Sequence, residues 1–211
     1  MERTKRNISW DIYLYAFVAA AIIFGIGIWA GLQIEQDVSQ SMRESMDKTR
    51  QQITTIEAML LLEEGNAFCD FFDESIARFD NETYTFGSKI GYMEEKNGAN
   101  PELKADYMFL ELRDYLLIKQ FDKKCVRNSK VLLYFLSSSN CTRCLAQGGE
   151  LTKAKATAGV RVYSFDADVN STIVTSLIKK YNIVNYPTLV INDVKYENYT
   201  SADDLVSIIG G

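Results

Sequence analysis

VLLYFLSSSNCTRC, residues 131–144, passes from six apolar, β-prone residues through a run of serines into two cysteines three positions apart. A short apolar run bounded by turn-forming residues reads as a buried strand. CLAQGGELTKAKATA (144–158) continues with helical spacing, interrupted in its middle by Gly148 and Gly149, so Cys141 and Cys144 fall at a strand-to-helix junction. RVYSFDA (161–167) and TLVIN (188–192) are two more strand candidates. STIVTSLIKKYNI (171–183) lies between them with Ile173, Leu177, Ile178 and Tyr181 on one helical stripe. VKYENYT (194–200) gives an edge strand, paired with TLVIN through a tight turn at Asn192 and Asp193. SADDLVSIIGG (201–211) closes as a helix with Ser201 as N-cap and Asp204 at the third helical position. The order strand, helix, strand, helix, strand, strand, helix implies an α/β sheet of mixed direction, flanked by helices on both faces.

The chain upstream has a different texture. Ile12–Leu32 carries no charge over 21 residues, enough at about 1.5 Å per residue to cross a hydrocarbon core of about 30 Å. It reads as a transmembrane helix. The rival, a cleaved signal peptide, has an apolar region of roughly 7–15 residues and a small-residue cleavage site soon after. Arg3, Lys5 and Arg6 precede the span and Glu35 and Asp37 come after it, so residues 1–11 are expected in the cytoplasm and the remainder outside, as a single-pass membrane protein. Gly27 and Gly31 form a GxxxG pair, extended by Ala21 and Gly25, that would let two such helices pack as a homodimer; glycine merely tolerated in a membrane helix is the plainer reading.

Residues 33–127 read as an extracytoplasmic helical stalk or bundle that spaces and solubilises the C-terminal domain. Ile34, Val38, Met42, Ile53, Ile56 and Leu60 recur at helical spacing, continuing from the membrane. A second helix is expected over Ala67–Phe79 and a third over Glu102–Phe121, entered through Asn100 as N-cap and Pro101 in the first turn. NETYTFGSK and EEKNGAN read as connections around a short helix.

Composition narrows the chemistry. The 211 residues include 23 basic and 28 acidic side chains without a long basic block, which gives no electrostatic footprint for nucleic acid. Past the span, setting aside Glu2, Arg3, Lys5, Arg6 and Asp11 leaves 20 basic and 26 acidic residues, a portion suited to solution rather than to anionic lipid. With no histidine, the commonest metal ligand and the usual near-neutral base are absent from every mechanism. Sulfur, carboxylate, amine and hydroxyl remain.

A strand running into Cys141-Thr142-Arg143-Cys144, with Tyr186-Pro187-Thr188 some forty residues later opening an apolar strand and hairpin, resembles the thioredoxin fold and its thiol–disulfide oxidoreductases. The resemblance covers about residues 128–211. It implies a cis bond before Pro187, which faces the cysteine pair, and substrate binding at Tyr186, Pro187 and Thr188, with the open backbone groups of Tyr186 turned toward the site to pair with an extended substrate.

The thiolate is the attacking species, and an ordinary cysteine has a pKa of about 8.5. At a helix start the unpaired amides and the helix dipole favour its anion, which makes Cys141 the nucleophile. One helical turn on, Cys144 is the resolving sulfur that releases a mixed disulfide. Arg143 either favours the thiolate further or is a solvated arginine on an exposed turn. The exchange runs on the two sulfurs and calls for no cofactor. Two positions depart from the family pattern: Asn140 stands where many members have tryptophan, and Phe135 where thioredoxins proper carry a buried aspartate used in proton transfer. Both argue against reductase activity of the thioredoxin type.

Cys69 and Cys125 read as a structural disulfide closing a long loop in an oxidising compartment; a second redox pair and free or intermolecular thiols are the other readings. The metal reading of CTRC would require all four cysteines as zinc ligands, and the strand-to-helix setting with Pro187 argues for none. Sequons at Asn81, Asn170 and Asn198 suit an outward-facing domain, whereas a glycan on Asn140 in Asn140-Cys141-Thr142 would block the pair. The function expected is a membrane-anchored oxidoreductase acting on cysteine-containing secreted or membrane proteins, with a membrane redox partner. The alternative is a non-catalytic thioredoxin-like module that holds client peptides or assembles with a membrane complex.

Overall fold

The computed structural model describes residues 10–62, 66–97 and 100–210. Arg3, Lys5 and Arg6 of the expected basic flank lie outside the described residues, as do the side chains of Ile34, Glu35, Asp37, Val38 and Asn81. The chain divides into two units, Met1–Glu44 and Ser45–Gly211.

The described part of the first unit is the opening of helix α1 (Trp10–Leu62). Its segment Tyr13–Leu32, with a mean hydropathy of 2.1 and without a buried residue in its apolar window, is long and apolar enough to cross a membrane. Gly27 and Gly31 border open space.

The second unit joins the rest of α1 to helices α2 (Asn66–Asn97) and α3 (Pro101–Cys125) and to the β-rich segment beyond. Ile53, Ile56 and Leu60 of α1, Phe72, Ile76, Phe86 and Ile90 of α2, and Leu117, Ile118 and Phe121 of α3 are all buried. Phe72 and Phe121 stack with ring centroids 3.9 Å apart. Arg113 of α3 pairs with Glu57 of α1 and donates to Thr54 Oγ1 at 3.0 Å, so polar contacts fix the same packing. Asn100 caps α3 by accepting from the Leu103 N–H at 3.0 Å, and Pro101 opens the first turn.

Helix α2 corrects the sequence reading. It continues straight through NETYTFGSK, which was expected to be a connection, and ends at Asn97. Asparagine, threonine and glycine lower helix propensity by only tenths to about 1 kcal/mol each, and tertiary packing overrides that. Thr83, Phe86 and Ile90 are buried along this stretch. Gly87 has a specific reason to lack a side chain, because a Cβ there would lie 2.6 Å from the Tyr107 hydroxyl of α3.

Four strands complete the chain's sheet: β1 (Val131–Leu136), β2 (Arg161–Asp166), β3 (Thr188–Ile191) and β4 (Val194–Glu197). Their order is β2-β1-β3-β4, with β1 parallel to β2 and the other pairs antiparallel. Helices α4 (Cys144–Ala158), α5 (Thr172–Tyr181) and α6 (Ala202–Gly210) complete the mixed α/β arrangement that the strand and helix order implies. Alternation along β1 sends Leu132 and Tyr134 toward α4 and α6, where they pack with Leu151, Ala154 and Leu205. Phe135 goes to the other face, against Phe165 and Tyr181 at centroid distances of 5.6 and 6.3 Å. Asn192 and Asp193 both have positive φ, 51° and 60°, the backbone a tight two-residue hairpin requires. Ser201 Oγ accepts from the Asp204 N–H at 3.3 Å, which caps α6 as expected.

Candidate active site

Strand β1 ends at Leu136, and residues 137–143 form the loop and turn that carry the cysteines. Cys141 and Cys144 are joined by a disulfide, with Cα atoms 5.4 Å apart. The Cys144 N–H closes the turn on the Cys141 carbonyl at 3.4 Å, and α4 starts at Cys144. Cys141 therefore sits in the turn before the helix rather than within its first turn. The two sulfurs differ in setting. Cys144 is 6% exposed and belongs to the apolar core between sheet and α4, whereas Cys141 is only partly covered, at the margin of that core. Arg143 is exposed.

Cys141 and Tyr186 both pack against the core cluster that contains Cys144. The Tyr186–Pro187 bond is cis. Pro187 and Thr188 are buried; the Pro187 carbonyl accepts from the Asn198 N–H at 3.0 Å, and Thr188 Oγ1 donates to the Asn185 carbonyl at 2.7 Å. Antiparallel pairing sets Thr188 opposite Phe135. Phe135 is fully buried among aromatic rings, so the position where the resemblance implies an acid is apolar.

The serine loop is held by two carboxylates the sequence reading left out. Asp168 Oδ2 accepts from the Ser139 N–H at 2.6 Å, and the Ser137 hydroxyl donates to both Asp168 oxygens, at 3.1 and 3.0 Å. Ser137 Oγ in turn accepts from the Asn140 N–H at 3.0 Å, one residue before Cys141. Asp166, only 2% exposed, accepts from the Ser138 N–H at 3.3 Å and from its hydroxyl. Lys104 of α3 reaches into this network, 2.6 Å from Asp166 Oδ2, 2.8 Å from Glu94 Oε1 and 3.0 Å from Ser138 Oγ. Burial pushes the Asp166 carboxyl up, but hydrogen bonds from Lys104, Ser138 and the Asp168 N–H hold it below its ordinary value. Burial likewise opposes the Lys104 ammonium, and Asp166 and Glu94 more than offset it, leaving its pKa raised. The Asp168 carboxyl, against its own desolvation, is held low by its bonds to Ser139 and Ser137.

A second cluster sits beside α4. Tyr134 donates its hydroxyl to the Cys144 carbonyl at 2.7 Å, bracing the first turn of α4 from below. Burial, and then the Asp166 charge, raise its pKa. Tyr134 also lines a cleft of about 530 Å³ between α2, α3, α4 and β2, together with Tyr107, Glu111 and Lys155. Glu111 is 3% exposed and accepts from the Tyr107 hydroxyl and the Ser164 N–H. Burial pushes its pKa up to about 8, against the two hydrogen bonds and with the help of the Asp114 charge.

Cys69 and Cys125 are joined by the other disulfide, with Cα atoms 5.9 Å apart, so it ties α2 to the end of α3. The four sulfurs are thus divided between two separate pairs. Asn140, Asn170 and Asn198 are exposed, and Asn81 lies within α2. Of the residues missed, Asp166 had a signal: it sits at the carboxyl end of an expected strand, and in the structure it is level with Leu136 in the parallel register. Lys104, Glu111 and Tyr134 had none.

Neither a protein-family model nor a curated protein matches the chain. Several solved structures are similar to part of it. One described as a malarial protein is 24% identical, with 39% of this chain and 96% of that chain covered, at a TM-score of 0.35. Thioredoxin-2, described as a component of the malaria parasite protein secretion machinery, is 25% identical, with 40% and 84% covered, at 0.35. Chloroplastic thioredoxin z is 22% identical, with 44% and 86% covered, at 0.35.

Proposed function

We propose that this chain is a membrane-anchored thiol–disulfide oxidoreductase, its N-terminus cytoplasmic and its sheet domain outside, that exchanges disulfides with cysteine-containing secreted or membrane proteins. The observation that carries the reading is the asymmetry of the Cys141–Cys144 disulfide, one residue only partly covered at the margin of the core and the other buried in it. Exchange needs that difference, because the attacking sulfur must reach a substrate while the resolving one must be kept from it. In the reducing direction the Cys141 thiolate attacks a substrate disulfide, forming a mixed disulfide and expelling one substrate thiolate. The Cys144 thiolate then attacks the Cys141 sulfur and expels the second. Two electrons pass to the substrate and the Cys141–Cys144 disulfide is regenerated; the oxidising direction is the same sequence in reverse. Cys69–Cys125 serves as a staple in this reading, and the Tyr13–Leu32 span as the anchor.

The test is trapping. Cys144→Ser in the full chain removes the resolving sulfur, so Cys141 accumulates mixed disulfides that migrate as larger species and vanish on reduction. A Cys141 that forms none and resists small thiol reagents would return the chain to the alternative of a non-catalytic binding module. Protease protection of the sheet domain in intact cells would overturn the orientation.

A further inference from the structure

We propose that Asp166, Asp168 and Lys104 set the redox poise of the Cys141–Cys144 pair, the two aspartates favouring the disulfide and the lysine, delivered by α3, opposing them. The inference rests on the proposed exchange function. Its basis is geometric. Asp168 holds the Ser139 N–H, and from Ser139 to Cys141 is two residues of chain, at most about 7 Å, so the carboxylate is tied to the same short loop as the attacking sulfur. Asp166 holds the Ser138 N–H in the same loop. The same two charges act on Tyr186, whose hydroxyl has its pKa raised by burial and then by Asp168 and Asp166.

A negative charge near Cys141 disfavours its thiolate, and a dithiol whose thiolate is disfavoured is less stable against its disulfide. The carboxylates therefore make the pair more reducing. Lys104 sits 2.6 Å from Asp166 and cancels part of that field. Glu94, at 2.8 Å from the same ammonium, keeps the cluster net negative. Arg143, in the turn itself, is common to wild type and to every variant of the cluster. Through Lys104 the helical segment becomes part of the redox centre rather than a spacer.

Charge and scaffolding predict different outcomes. Asp168→Asn keeps an oxygen to accept from Ser139 but removes the charge, so the Cys141 thiol should titrate about half a unit lower in the reduced full-length protein. Read at a pH above the thiol pKa, the pair should shift about threefold toward the dithiol at equilibrium with glutathione, roughly 15 mV by the two-electron relation. Lys104→Met should move both readings the opposite way, and Lys104→Arg should restore them. Thiol pKa is read from the pH dependence of alkylation. If Asp168→Asn and Lys104→Met shift the pair in the same direction, or neither shifts it, the inference is wrong while the exchange function stands. A wild-type pair that never equilibrates with glutathione overturns both. If Lys104→Met does not fold, Asp168→Asn alone decides the sign.

Discussion

Glu111 of α3 accepts the backbone N–H of Ser164 on the side of β2 that no strand pairs. Two residues on, the Asp166 N–H points the same way and meets Met108 Sδ at 3.2 Å. An open edge with free amides is a template for pairing with another chain, and here a helix covers it and satisfies the donors from its side chains. Tyr163 extends the contact by donating its hydroxyl to Asp114 at 2.8 Å. The helical segment and the sheet are therefore joined by buried polar contacts as well as apolar ones.

That contact makes stability depend on pH. Glu111 has a folded-state pKa of about 8 against an ordinary 4.5, so between those values the folded protein holds a proton the unfolded chain has released. Its stabilising contribution is full below pH 4.5, falls as pH rises toward 8 and is constant beyond. The steepest slope is about 1.4 kcal/mol per pH unit. No histidine titrates in the window, and Asp166 and Asp168, with lowered values, change only below it. Urea midpoints measured from pH 5 to 8.5 should decline for wild type and stay level for Glu111→Gln. Parallel declines in the two proteins would remove Glu111 as the cause.

Gly87 and Tyr107 give a second prediction. An added Cβ at Gly87 meets the Tyr107 hydroxyl at 2.6 Å, and that hydroxyl is bonded to Glu111. Gly87→Ala should cost about 1–2 kcal/mol despite the gain of up to about 1 kcal/mol in helix propensity. Adding Tyr107→Phe should recover part of the loss, since it removes the clashing oxygen, and the double-mutant cycle should show coupling above about 0.5 kcal/mol. Additive effects in denaturant unfolding would mean that the two residues do not meet.

How much of this was legible depends on where each constraint lies along the chain. β1, β2 and β3 are apolar runs with turn residues at their ends, and the Asn192-Asp193 hairpin and the Ser201 cap are local chemistry, so all could be read off adjacent residues. Cys141 and Cys144 follow the end of β1 and Pro187 precedes the start of β3, and those two strand ends pair, so their common end of the sheet could be read from strand order. The full length of α2 could not, since its polar second half is helical through burial of Phe86 and Ile90 against partners far along the chain. Lys104 and Asp166 meet across 62 positions by a packing of α3 on β2 that neither local pattern encodes.

The two disulfides should separate into a staple and a working pair. Cys69 and Cys125 are 56 positions apart, and on the chain-entropy account a closure of that size stabilises by about 4 kcal/mol. The Phe72–Phe121 stack joins the same two helices, α2 and α3, independently of the sulfurs. Replacing both by serine should lower the denaturant midpoint accordingly, while the equilibrium of Cys141 and Cys144 with glutathione stays at the wild-type value in protein that remains folded. A relay role for the first pair predicts something else. Electrons would then reach Cys141–Cys144 through Cys69 and Cys125, and the double serine variant would leave the working pair stranded in one redox state in cells while its equilibrium in vitro is unchanged. Comparing the redox state of Cys141 in cells, by alkylation after acid quench, with the stability loss in vitro tells the two apart: unchanged occupancy with reduced stability is the staple, and a stranded pair at wild-type stability is the relay.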